Sequence, residues 1–136
     1  MTMKQIGALV CAALLATACA SPGVRDAGLD RLAPRKAERD LSSGIRAYED
    51  GDYKNSVRLL SSALSAGLLL NYDKVAAHKY LAFMHCAQAR ENLCRAEFRK
   101  ALQLDPKFEL AAAESGHPAW GPVFKSVKAQ MAKSPD

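Results

Sequence analysis

No segment of this sequence alternates β-branched and polar residues for more than a few positions, which argues against a sheet. Nothing in it has the form of a nucleophile elbow, a phosphate-cradling glycine loop or a zincin helix, and no carboxylates are paired across a cleft. Cysteine is scarce, four in 136 residues. Neither C-x-x-C nor H-x-x-x-H spacing occurs, so His78, His85, Cys86, Cys94 and His117 do not read as a metal site. Catalysis, a metal and a cofactor are therefore not expected. Basic residues are dispersed rather than clustered among aromatics, which disfavours nucleic acid as a partner. The apolar run Ile6 to Ala16 falls short of the roughly 20 residues that a helix needs to cross a bilayer. Asp50 and Asp52 flank Gly51, a pattern that turn chemistry explains.

What is present begins at the N-terminus. Lys4, the apolar run and the small residues that follow have the order of an export signal. Leu15-Ala16-Thr17-Ala18-Cys19 resembles a bacterial lipobox, in which small residues fit the signal peptidase and the cysteine sulfur accepts diacylglycerol before cleavage. Ala16 stands where Leu or Val is usual, and the alternative is an ordinary secretory signal. Cys11 follows the bulky Val10 and reads as a hydrophobe within the signal. The expectation is that residues 1–18 are removed and that Cys19 becomes an acylated N-terminus, held stably by more than one acyl chain. Ala20 and Ser21 follow, with no aspartate, which favours the periplasmic face of the outer membrane.

Removal of that signal takes away Lys4 and leaves 18 basic against 14 acidic side chains, a formal +4, on a chain long enough for one small domain. The stretch "ASPGVRDAGLDRLAP" lacks a sustained apolar period, so residues 19–36 read as a lipidated flexible tether. An all-α domain is expected over residues 37–132, and residues 133–136 are expected to fray.

Within the domain, "GIRAYEDGDYKNSVRLLSSAL" (44–64) and "LAFMHCAQARENLCRAEFRKALQLDP" (81–106) both resemble the tetratricopeptide repeat, a helix–turn–helix unit of about 34 residues. Gly44 and Ala82 take the small helix-A position, Leu60 and Phe98 the large helix-B position, and Ala63 and Ala101 the small one after it. Cys94 takes the other small helix-B position, and Asp105-Pro106 closes the second unit, since proline cannot continue the helical ladder. The first unit lacks that closing pair and has Gly67 and Leu68–Leu70 there instead. Gly44 and Ala82 are 38 positions apart, so the loop between the units carries extra residues. Two units fall below the usual solenoid minimum. A capping helix over "HPAWGPVFKSVKAQMA" is expected, because Trp120, Val123, Phe124, Val127 and Met131 recur at helical spacing.

The resemblance implies a groove, lined by helix A of each unit, that binds a peptide or protein surface. Its positions here are Leu41, Ile45, Tyr48 and Glu49 in the first unit and Lys79, Phe83, Cys86 and Ala87 in the second. The alternative occupant is this chain's own tether or C-terminal helix. In the repeat's frame Cys86 and Cys94 lie late in helix A and early in helix B of the second hairpin. In an oxidising compartment they either staple it or serve as two small buried residues. A short tetratricopeptide lipoprotein carrying "DPKFEL" and "ESGHPAWGPVF" is similar to the TssQ-type lipoproteins associated with type VI secretion. The implied role is a non-catalytic protein–protein interaction module, accessory to an envelope secretion machine. The alternative is a pilotin-like lipoprotein that assists assembly of a pilus or secretin component. The string "GHPAWGPVF" also has a structural reading, with turn residues shaping a bend and Trp120 and Phe124 closing the core.

Overall fold

The computed structural model describes residues 34–133; the expected signal, Cys19, most of the tether and residues 134–136 lie outside them. The described chain is all-α, with no strand among these residues. Two antiparallel hairpins, a short helical turn and a final helix follow one another.

The first hairpin pairs α1 (Lys36–Glu49) with α2 (Tyr53–Ala66). Ala37, Leu41, Gly44 and Ala47 recur every three or four residues on α1 and form its buried stripe. On α2 the matching stripe is Ser56, Leu60 and Ala63. The helices approach closely at Gly44, where an added Cβ would lie 2.9 Å from the Leu60 side chain. The Ser56 hydroxyl donates to the Gly44 carbonyl at 2.8 Å in the same crossing. The small and large positions read from the repeat pattern thus meet as a pair.

The second hairpin joins α3 (Asn71–Ala87) to α4 (Glu91–Leu104) through three residues. Ala82, Cys94, Phe98 and Leu102 are buried in one cluster with Phe83. The opposite side of α3, carrying Ala77, Leu81 and Met84, packs into the cluster of the first hairpin with Leu41, Leu60 and Ala63. Two sides of the middle helix are therefore covered, one by each cluster.

After Asp105-Pro106 the chain forms α5 (Ala112–Ser115), a single turn that the sequence did not signal. It then turns through His117–Trp120 into α6 (Gly121–Lys133), which lays Phe124 and Val127 against α4. This is the expected cap, although its helix starts four residues later than the stretch from His117. A Cβ on Gly121 would collide with the Ser115 carbonyl oxygen, so the entry to α6 needs glycine for close approach.

Candidate functional site

The site implied by the repeat is the face formed by α1 and α3. Two of its expected residues do not offer a surface. Leu41 is buried in the first hairpin's cluster, and Phe83 is only 2 % exposed. The cause at Phe83 is the indole of Trp120, which stacks on its ring with centroids 4.4 Å apart and planes at 19°. The segment between α4 and α6 crosses the face that the repeat pattern leaves open. Ile45 and Tyr48 remain half-buried, and Glu49 is exposed. Tyr48 packs its ring 4.9 Å from Tyr80 and 6.3 Å from Phe83. Burial is the main reason its phenol is held above the ordinary tyrosine pKa, with neighbouring Tyr53 and Tyr80 adding to it.

Lys79 takes part in fastening the crossing segment. Its Nζ lies 2.6 Å from Glu114 Oε1 and 4.5 Å from the Tyr80 ring centroid. Glu114 also accepts from the backbone N–H of Ala111 at 3.0 Å, and its carbonyl accepts from the Trp120 indole N–H at 2.9 Å. His117 stacks on the far side of Trp120 with centroids 3.3 Å apart, and its Nδ1 accepts from the Ala119 N–H at 3.1 Å. The "GHPAWGPVF" stretch thus shapes a bend that presents one indole to the middle helix. Glu114 and His117 are the residues that sequence reasoning missed here. Neither sits in a periodic stripe, and their partners lie in space rather than in sequence.

Two hollows flank the crossing. One of about 220 Å³ is lined by Tyr48, Tyr53, Met84, Gln88, His117 and Trp120. The other, of about 600 Å³, lies beside α3 and is lined by Tyr72, Val75, Lys79, Leu104, Phe108 and Leu110, among others. Its size falls within the range of ordinary ligand-binding clefts, roughly 300–1,000 Å³. Its walls mix apolar side chains with Asn71, Asp105, Lys107, Glu109 and the Lys79–Glu114 pair.

The Sγ atoms of Cys86 and Cys94 lie at bonding distance, with Cα atoms 5.2 Å apart, across the turn of the second hairpin. The histidines weighed as ligands each have other surroundings. His78 Nδ1 sits 2.6 Å from Glu97 Oε2, with both side chains mostly buried. Burial pushes the Glu97 carboxyl up, but hydrogen bonds from His78 and Lys100 prevail and hold it below the usual carboxylate value. Burial holds His85 below the ordinary imidazole value. Among the described residues no three His, Cys, Asp or Glu side chains converge to hold a metal, and no helix is long and apolar enough to cross a membrane. Compared with protein-family models, curated proteins and solved structures, the chain matches none.

Proposed function

We propose that this chain is a non-catalytic, lipid-anchored interaction module on the periplasmic face of the outer membrane. Its partner is a protein of an envelope machine, of the type VI secretion kind. The observation that carries the reading is the hollow of about 600 Å³ beside α3, which takes in Lys79 of the expected groove and otherwise lies between α3 and the segment that follows α4. The order of the sequence supports it too, with a lipobox-like signal and a tether ahead of the repeat units. An apolar segment of a partner would seat its side chains against Ala76, Leu104 and Phe108, beside the Lys79–Glu114 pair.

The test has two parts. Cys19→Ala should block processing of the precursor and abolish palmitate labelling; normal processing would remove the anchor from the reading. A photo-cross-linking residue at Ala76, on the wall of the hollow, should trap one envelope protein reproducibly in intact cells. The same residue at Gln103, exposed on α4, should not. Equal labelling at both positions would overturn the assignment of the hollow.

A further inference from the structure

Eight of the nine Phe, Tyr and Trp residues form one connected set of ring contacts, running from Tyr53 through Tyr48, Tyr80, Phe83, Trp120, Phe98 and Phe124 to Phe108. Tyr72 is outside it and is 81 % exposed. Leu69 and Leu70 beside it are 69 % and 63 % exposed. Three large apolar side chains within four residues therefore face outward at the junction between the hairpins. Packing within the domain does not account for them, although Tyr72 also lines the hollow of about 600 Å³ beside α3, and the loop beneath them is fastened. Leu68 is buried in the first cluster, and the Arg35 guanidinium donates to the Gly67 carbonyl at 3.1 Å.

That hydrogen bond also fixes a location. Arg35 follows the first described residue, so the N-terminal end of the described domain lies beside this loop. The neighbouring carboxylates Glu38 and Asp40 are paired with Arg35 and Lys36, and Asp73, next to Tyr72, is followed directly by Lys74. We infer that Leu69, Leu70 and Tyr72 insert into the interface of the phospholipid bilayer and orient the domain with its tether-bearing end toward the membrane. The inference rests on the proposed acylation of Cys19. From Cys19 to Ala33 the tether, fully extended, reaches roughly 50 Å, so alone it leaves orientation unset. The acyl chains hold the protein at the membrane, and the loop supplies a second point of contact that sets its orientation. The leucines contribute apolar depth, and the tyrosine ring suits the headgroup level, with its body in hydrocarbon and its hydroxyl in water.

The test uses processed full-length protein reconstituted into phosphatidylethanolamine–phosphatidylglycerol vesicles with brominated acyl chains. Tyr72→Trp places a reporter in the loop; Tyr53→Trp places one at the other end of α2, roughly 20 Å away along the helix axis. After subtraction of the Trp120 signal, the added emission of Tyr72→Trp should be quenched and that of Tyr53→Trp should not. Leu69→Glu with Leu70→Glu should relieve the quenching in the Tyr72→Trp background. Intact mass is read first. Protein without acyl chains overturns the anchor and the loop's role with it. Acylated protein with no difference between the two reporters overturns the loop proposal alone. Tyr72→Trp emission that shifts blue with protein concentration in the absence of lipid would instead assign the loop to a second copy of the chain, and would also overturn it.

Discussion

The two hairpins have the same plan and hold their turns together by different means. Residues 38 apart correspond throughout: Gly44 with Ala82, Ser56 with Cys94, Leu60 with Phe98, Gly51 with Ala89 and Asp52 with Arg90. In the first hairpin the turn chemistry is favourable. Gly51 has φ +79°, which glycine adopts without penalty, and the Asp52 carboxylate caps α2 by accepting from the Asn55 N–H at 3.2 Å. In the second, Ala89 is held at φ +57°, and Arg90 gives α4 no side-chain cap. The second has instead a cysteine pair spanning the same turn. A covalent link of this kind restricts the unfolded chain and offsets a turn that would otherwise open easily. Local residues and a cross-link are thus alternative ways to fix one geometry.

The largest test of this comparison lies in the cores. Phe98→Ala and Phe83→Ala should each cost about 3–5 kcal/mol in denaturant unfolding, because both rings are buried. Tyr48→Ala, at a half-buried ring in the first hairpin, should cost clearly less. A Phe83→Ala protein with an unchanged midpoint would mean that Trp120 does not close the face. Next in size is the cross-link. Mass spectrometry after alkylation without reductant should find no free thiol at Cys86 or Cys94. Replacing both with alanine should destabilise by about 2–3 kcal/mol. Ser56→Ala, the counterpart in the first hairpin, should cost only about 1 kcal/mol for its buried hydrogen bond.

Smaller effects should appear at the turns, with opposite signs. Gly51→Ala should lose about 1 kcal/mol, whereas Ala89→Gly should gain a few tenths or more, since the αL penalty exceeds the entropic cost of glycine. If both changes destabilise, the cross-link has already relieved the strain at Ala89. The smallest effect is a pH dependence between pH 7 and pH 5 that arises in the second hairpin, because no histidine lies in α1 or α2. His85 is held below its ordinary value of 6.5, so the unfolded chain takes up the proton more readily. Its contribution is intact above pH 6.5 and declines as pH falls below it. Glu97 adds a further loss below its ordinary value of 4.5. Melting temperatures measured from pH 7 to pH 5 should decline less in His85→Gln than in the parent.

How much of this was legible depended on distance along the chain. The pairs Gly44–Leu60 and Ala82–Phe98 could be read directly, since each lies within one hairpin and reflects a steric rule about small and large residues. Cys86 and Cys94 straddle a single short turn, which is why their proximity followed from the repeat frame. The exposure of Phe83 did not follow. It is decided by Trp120, delivered by a crossing segment whose path rests on the Glu114 hydrogen bonds and the His117 stack, contacts with no periodicity. The outward Leu69 and Leu70 were visible only as a departure from the repeat pattern, and the pattern itself assigns them no neighbour.

The position of α3 has a consequence for how the molecule comes apart. Ala77, Leu81 and Met84 belong to one apolar cluster and Ala82 and Phe83 to the other, while Tyr48 and Tyr80 touch both. Neither hairpin can open without stripping one side of the shared helix. Long repeat arrays fray from their ends because each unit leans only on its neighbours. Here the two units have a common wall, so loss of either withdraws support from the other. A single cooperative transition is the expected behaviour.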